Sequence, residues 1–311
     1  MRANILLHPD SLKRNPNDSE SEYMEKFSRF TNDVQDILIN GLDDHFIFST
    51  SLYSAQLFEA KTIFELSEML GREEKDIIYG ILTNTAEIED CSIGEYKNRC
   101  QYTKGEEVCS TMAILNEETT ETNDNEYIQF ENYEIVYGYG SWQTFRRQIL
   151  GNHPESASDF ISCAKILFPS LFFHPNCENS VADYLNCIPR RIVYYLSCMN
   201  DNLIQYKNSC GTCQANDILE GFSVKYGLDK CGSIEMRPKH KPNFTYSFMD
   251  KNGNCQRVCC EPHLKINKYD SNYSLSISDR LKSFNARIYF HFGSPDIQGG
   301  RILIGSIGPH A

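Results

Sequence analysis

Three short stretches near the C-terminus decide the fold of this chain: EPHLKI at 261–266, ARIYFHF at 286–292 and RILIGSIGPH at 301–310. In each stretch, apolar and polar side chains alternate or nearly alternate, which is typical of a strand with one buried face. The residues just before them, 244–248 and 257–260, flank an Asn252-Gly253 pair and predict a hairpin. The sequence therefore predicts an α+β fold, with a mainly helical N-terminal region and a C-terminal antiparallel β-sheet domain.

The polar side chains of these strands form a chemically distinctive set. Successive side chains of a strand point to opposite faces, so polar residues two apart share a face. The set comprises Glu261, His263 and Lys265 on the first strand, Arg287, Tyr289 and His291 on the second, and His310 at the end of the third. We expect these side chains to face one concavity, opposite the apolar residues of the core.

An acid, a phenol, histidines and cations are the groups needed for RNA cleavage by the adjacent ribose hydroxyl without a metal. A base takes the proton of the 2'-hydroxyl, cations stabilise the crowded phosphate and an acid protonates the leaving oxygen. In this hypothesis His263 or Glu261 is the base, and His310 or His291 is the acid. The RNA phosphate is bound by Lys265, Arg287 and Arg301. No cofactor is predicted.

The same segment resembles the end of RelE/ParE-superfamily toxins, particularly the YoeB and HigB branches. In that family an acid or histidine on one strand is followed by an arginine on the next and by a histidine or tyrosine at the end of the last. Glu261 and His263 match the first position, Arg287 the second and His310 the third. The resemblance implies a RelE-like endoribonuclease toxin in a toxin–antitoxin or phage-defence system. Its partners would be RNA, either ribosome-associated or tRNA, and a protein inhibitor or antitoxin.

Two other functions are consistent with the same residues. The sheet face could serve a non-enzymatic module that binds protein or nucleic acid, in which case the histidines are incidental. Alternatively, His263, His291 and His310 could form a metal triad for hydrolysis, although the chain has no helix-spaced ligand pair. The chain contains no phosphate-binding P-loop, no dinucleotide fingerprint and no nucleophile elbow.

Charge is unevenly distributed along the 311 residues. The net charge is −12, but the segment from Lys241 to the end has nine Lys and Arg against five Asp and Glu, a net +4 against −16 for the rest. The Pro-containing, charged segment 237–243 predicts a domain boundary. We therefore expect an acidic, mostly helical domain over 1–240, acting as sensor, adaptor or restraint. A basic antiparallel β domain would occupy 241–311 and carry the RNA-directed activity.

The thirteen cysteines favour reduced thiols, because their number is odd and the chain has no apolar segment suited to a secretory signal. Zinc is the weaker alternative, with Cys210, Cys213, Cys255 and Cys259 as ligands. No apolar run approaches the roughly 18 residues of a membrane span. We therefore expect a cytoplasmic protein with no membrane partner.

The first 240 residues show helical periodicity in several segments. Helices are predicted at 22–39, 62–70, 73–82, 141–150, 156–167 and 180–199, and strands at 46–53 and 133–139. The last helix is expected to break or open at Pro189-Arg190-Arg191. Thr62 and Glu65 form a capping-box pattern. The only tryptophan, Trp142, lies beside Arg146 and Arg147, where a core tryptophan with surface arginines is expected and a nucleotide clamp is the alternative.

Overall fold

The computed structural model describes residues 2–40, 42, 44–90, 92, 95–96, 108–115, 135–211, 214–234, 238–267 and 286–309. The chain divides into two compact units, Met1–Ile149 and Leu150–Ala311. The fold is mixed α/β, with one parallel sheet in the first unit and a largely antiparallel sheet in the second. Among the described residues, no helix is both long and apolar enough to cross a bilayer.

The first unit is built on a parallel sheet. Its strands are β1 (Arg2–Leu7), β2 (Asp44–Ser49), β3 (Ala86–Ile88), β4 (Val108–Ala113) and β5 (Ile135–Val136), in the order β3-β2-β1-β4-β5. Every pairing in this sheet is parallel. In β1, Ile5, Leu6 and Leu7 are all buried, as expected for a parallel strand covered on both faces. The expectation of a mainly helical N-terminal region therefore omitted a sheet.

The helices of the first unit largely follow the predicted periodicity. They are α1 (Pro9–Leu12), α2 (Glu20–Ile39), α3 (Ile63–Ser67), α4 (Arg72–Asn84) and most of α5 (Tyr139–Asn152), whose last three residues belong to the second unit. The predicted helix 22–39 is confirmed, and its start is fixed by a capping box between Ser19 and Glu22. The second predicted capping box, Thr62 with Glu65, is also present.

Trp142 and Arg146 lie in the core of the first unit. The side chain of Trp142 is fully buried, and its indole Nε1 donates a hydrogen bond to Asp44 Oδ2 at 2.7 Å. Arg146 Nη1 lies 3.1 Å from Asp44 Oδ1, and both of these side chains are almost completely buried. The expectation of a core tryptophan is confirmed, but the expectation that Arg146 is a surface residue is wrong because Asp44 binds it inside the unit.

The second unit contains a five-stranded sheet and a separate hairpin. The sheet strands are β6 (Leu171–Phe173), β7 (Lys230–Ile234), β10 (Pro262–Ile266), β11 (Ala286–His291) and β12 (Ile302–Pro309), in the order β6-β12-β11-β10-β7. The hairpin consists of β8 (Thr245–Met249) and β9 (Cys255–Cys259). The three C-terminal strands and the hairpin are confirmed. The predicted boundary at 240 falls within this unit, since β7 pairs with β10.

The helices of the second unit are α6 (Ala157–Leu167), α7 (Asn176–Leu185), α8 (Pro189–Cys198), α9 (Ile204–Ser209) and α10 (Ala215–Lys225). The helix predicted at 180–199, with a break or opening at 189–191, is two helices, and the second begins at Pro189. Pro189 occupies the first turn of α8, where a missing backbone N–H has no consequence and the fixed φ favours a helix start.

The hairpin packs on one end of the sheet. The buried cluster that joins them comprises Phe244, Phe248, Val258, Cys260, Tyr289, Ile297 and Leu303. The turn between β8 and β9 is held by Asp250, whose Oδ1 accepts the backbone N–H groups of Asn252 and Asn254. Gly253 adopts φ +81° there, which explains the glycine. The hairpin therefore covers part of the face on which the candidate site residues were expected.

Candidate functional site

The strand register brings three cations into one row. Lys265 on β10 lies directly opposite Arg287 on β11, and on its other side it pairs with Lys230 on β7. We call these three residues the cation row. Directly paired residues of neighbouring strands present their side chains to the same face. The pairing of β10 with β7 shifts register between His263 and Lys265, but the charge of Lys230 still acts on Lys265. The row therefore crosses three strands, or about 10 Å. Lys265 and Arg287 are half-buried, whereas Lys230 is exposed.

The environment of the cation row disfavours the charged forms of Lys265 and Arg287. Burial lowers the pKa of Lys265, and the nearby charges of Arg287 and Lys230 lower it further, whereas Cys231 acts in the opposite direction. Burial also lowers the pKa of Arg287. No carboxylate of the described residues lies within ion-pair distance of either side chain. Arg287 Nη1 donates to the carbonyl oxygen of Ala286 at 2.8 Å, and its buried Nε has no partner among the described residues.

The second group is a buried stack beside the row. The ring of His263 lies 5.0 Å from that of Tyr289, which in turn stacks on Phe244 at 4.1 Å. His263 is only 2% exposed and Tyr289 only 1%. His263 Nε2 lies 3.1 Å from Ser233 Oγ, and His263 Nδ1 lies 3.1 Å from the carbonyl oxygen of Glu261. The imidazole is therefore inside the unit, and Ser233 is its hydrogen-bonding neighbour.

The carboxylate of Glu261 has a partner of its own. Lys241 Nζ lies 2.9 Å from Glu261 Oε1, and both side chains are partly exposed. Glu261 precedes β10, which begins at Pro262. Its carbonyl oxygen contacts His263, whereas its carboxylate binds the Lys241 ammonium. The two candidate general bases therefore have different environments. Glu261 forms a surface ion pair, whereas the ring of His263 is buried.

His291 and Arg301 lie away from the cation row. His291 is four residues along β11 from Arg287, a separation of about 13 Å in a strand. Its Nδ1 accepts the backbone N–H of Gly293 at 3.1 Å, and burial, followed by the charge of Lys207, lowers its pKa. The guanidinium of Arg301 donates to Gln298. Those sequence-predicted residues that the structure describes therefore do not converge on one centre.

Two of the predicted residues, His310 and Cys213, lie outside the described residues. The remaining cysteines of the zinc hypothesis have different surroundings. Cys210 Sγ lies 3.2 Å from the carbonyl oxygen of Lys207, Cys255 is exposed and Cys259 is half-buried. Within the part of the chain that the structure describes, no group of three or more His, Cys, Asp or Glu side chains is arranged to hold a metal ion.

Sequence reasoning missed Lys230 and Ser233. Both lie on β7, whose sequence, KCGSI, has no clear alternation and contains a glycine. Gly232 has a structural reason, since a Cβ there would lie 3.0 Å from the carbonyl oxygen of His263. The pairing of β7 with β10 is a tertiary contact, so the strand carried no local signal that could have revealed either residue.

Comparison with protein-family models, curated proteins and solved structures found no match for this chain. The likeness to RelE/ParE-superfamily toxins therefore rests on Glu261, His263, Arg287 and His310 alone.

Proposed function

We propose that the second unit binds RNA through the cation row of Lys230, Lys265 and Arg287. The observation that carries this proposal is the pairing of two half-buried cations, Lys265 and Arg287, with no carboxylate of the described residues beside them. Like charges directly opposite in a sheet are destabilising, and burial disfavours the charged forms. A bound phosphate would reverse both effects, because guanidinium and ammonium groups hydrogen-bond phosphate oxygens strongly.

The extent of the row favours a chain of phosphates over a single anion. Three cations spread over about 10 Å of sheet could contact neighbouring phosphates of a nucleic-acid strand. The segment from Lys241 to the end is also net positive, at +4, within a protein of net charge −12. RNA would repel the acidic rest of the chain, and the protein would therefore approach RNA with its basic segment toward the phosphates.

Cleavage of the bound RNA is the second candidate function, in a RelE-like endoribonuclease toxin. It is favoured by the pairing of Lys265 with Arg287, which places two cations where a bound phosphate would lie. These cations can stabilise the negative charge that develops on the phosphate during attack by a 2'-hydroxyl. A protein inhibitor, and a place in a toxin–antitoxin or phage-defence system, belong to this second candidate.

The binding proposal is tested by fluorescence anisotropy with a labelled single-stranded RNA oligonucleotide. We expect Lys265→Gln and Arg287→Gln each to weaken binding by about tenfold, which corresponds to the loss of one charge-assisted contact of about 1.4 kcal/mol. Lys241→Gln is the matched control, because Lys241 lies in the same unit but already pairs with Glu261. Equal affinities for the wild type and both row variants would remove the proposal.

Cleavage is tested on the same oligonucleotide in the presence of a chelator. Attack by the 2'-hydroxyl produces a 2',3'-cyclic phosphate, and this product should be lost in Lys265→Gln and Arg287→Gln. If the wild type binds RNA at saturating concentration without producing fragments, the second candidate fails and the binding function stands.

A further inference from the structure

Ser233 and His263 form a hydrogen-bonded pair that the proposed function does not use. Ser233 Oγ lies 3.1 Å from His263 Nε2, and His263 Nδ1 lies 3.1 Å from the carbonyl oxygen of Glu261. A carbonyl oxygen can only accept a hydrogen bond, so Nδ1 carries the proton of the neutral ring. In the neutral ring, His263 Nε2 therefore presents its lone pair to the hydroxyl of Ser233, which donates to it.

The ring is held in this orientation by its neighbours. Tyr289 packs on His263 with ring centroids 5.0 Å apart, and Phe244 stacks on the far side of Tyr289. His263 is almost completely buried, whereas Ser233, on the edge strand β7, is half-buried. The serine thus lies between the buried base and the outside of the unit. In covalent catalysis, a nucleophile likewise contacts a base whose orientation is fixed by a third group.

The pair also adjoins the cation row. Lys265 follows His263 by two residues on β10 and therefore shares its face, about 6.6 Å further along the strand. Ser233 pairs with His263 across the sheet, and Lys230 pairs with Lys265. A phosphate bound by the row would lie next to the hydroxyl of Ser233, with cations placed to stabilise negative charge that develops on its oxygens.

From this geometry we infer that Ser233 is a nucleophile, with His263 as its base, directed at phosphodiesters held by the cation row. Ser233 Oγ attacks phosphorus and gives its proton to His263 Nε2, an Oγ–P bond forms, and the bond from phosphorus to the leaving oxygen breaks. The imidazolium protonates that oxygen. Water then attacks the phosphoserine with His263 as base, releasing phosphate monoester and returning the proton to Ser233.

This activity rests on the proposed function, because the cation row would hold the substrate. It gives His263 a different role from the one that the sequence predicts. In the sequence hypothesis, His263 takes a proton directly from the 2'-hydroxyl of RNA. A ring that is 2% exposed cannot reach a ribose without rearrangement, whereas it already contacts a serine hydroxyl. A serine nucleophile needs no 2'-hydroxyl, so DNA and RNA would both be substrates.

The test is covalent labelling of the full-length protein with an uncharged fluorophosphonate, followed by intact-mass measurement and peptide mapping. We expect one phosphonyl group on Ser233, no label at that position in Ser233→Ala, and at least a roughly 100-fold slower reaction in His263→Gln. Ser180→Ala is the matched control, since Ser180 is a half-buried serine of the same unit that hydrogen-bonds the backbone of Cys177 and Ile307.

A further readout keeps the inference open to refutation if His263→Gln fails to fold: an oligodeoxynucleotide should be hydrolysed by the wild type but not by Ser233→Ala. The inference is overturned if Ser233 stays unlabelled or if DNA remains intact. Because the probe is uncharged, labelling is read independently of RNA binding, so the two proposals can fail separately.

Discussion

Arginine occupies contrasting environments in the two units. In the first unit, Arg146 is almost completely buried against the carboxylate of Asp44, which also accepts a hydrogen bond from Trp142. In the second unit, Arg287 is half-buried opposite Lys265, and no carboxylate of the described residues is within ion-pair distance. The first charge is neutralised by the chain itself, whereas the second lies beside another cation.

The difference separates a charge with a structural role from one for which we propose a ligand-binding role. A buried arginine is stable only with a partner, and Asp44 supplies that partner within the first unit. A cation pair without an acid raises the free energy of the folded protein, because each charge disfavours the other and burial disfavours both. Such an arrangement is expected where an anionic ligand completes the site.

The largest effect is expected for Arg146→Met. Removing the guanidinium leaves the carboxylate of Asp44 buried without its cation, which typically costs about 3–5 kcal/mol of unfolding free energy. Urea unfolding followed by the fluorescence of Trp142, the only tryptophan, reports on this region directly. The exposed Arg72, whose side chain is 94% accessible, provides the control, and Arg72→Ala should change stability by less than about 0.5 kcal/mol.

The double variant Asp44→Asn/Arg146→Met separates lost charge pairing from lost packing. The asparagine oxygen can still accept the Trp142 N–H, while neither substituted position carries a buried charge. We expect the double variant to be more stable than Arg146→Met alone. If it is less stable by the sum of the two single changes, Asp44 and Arg146 are not energetically coupled, and the contrast with Arg287 loses its basis.

A smaller effect of opposite sign is expected for Lys265→Met. Because burial and Arg287 both lower the pKa of Lys265, its charged form is disfavoured in the folded state. Replacing it with an uncharged side chain of similar length should raise stability, by no more than about 0.5 kcal/mol at a half-buried site. Lys241→Met is the matched substitution, since it removes an ammonium that pairs with Glu261, and it should leave stability unchanged or lower it.

Chemical unfolding of the second unit, followed by far-ultraviolet circular dichroism, compares these two lysine variants. A loss of stability in Lys265→Met equal to or larger than that in Lys241→Met would mean that Lys265 has a stabilising partner. The cation row would then be a structural feature, like the ion pair of Asp44 and Arg146.

The smallest effect concerns the pH dependence of the second unit. Burial lowers the pKa of His174, whose Nδ1 accepts the backbone N–H of Asn176 and whose ring packs on Tyr246 and Phe248. On acidification below about pH 6.5, the unfolded chain takes up a proton before the folded one. Stability is therefore fully present above that pH and falls as the pH decreases toward the lower folded-state pKa.

His174→Gln retains hydrogen-bonding groups but does not titrate in this range. Between pH 7 and pH 5, we expect the melting temperature of the wild type to fall by more than that of the variant. Parallel decreases in the two proteins would show that the neutral form of His174 contributes nothing to the pH dependence.

Prediction from sequence succeeded where the pattern is local. The strands β10, β11 and β12 alternate apolar and polar residues, and helix α2 has both its apolar period and its Ser19-Glu22 capping box within a few residues. The parallel sheet of the first unit was missed because its first strand is a short, continuous apolar run. Such a run has no period that distinguishes a strand from a buried helix.

The candidate site was harder to predict because its properties depend on tertiary contacts. Alternation correctly placed His263 with Lys265, but the hairpin β8–β9 and Phe244 close over the His263 end and leave the Lys265 end half-buried. Ser233 and Lys230 join the site only through strand pairing. The burial of Arg146 requires Asp44, which lies about a hundred residues earlier in the chain.

The salt dependence of RNA binding measures how many phosphates the cation row contacts. Each cation that neutralises a phosphate of a single strand contributes about 0.7 to the slope of log K against log salt concentration. We predict that the slope for Lys265→Gln/Arg287→Gln is shallower than that of the wild type by about 1.4, while Lys241→Gln keeps the wild-type slope. Identical slopes for all three proteins would contradict the assignment of the cation row as the RNA-binding site.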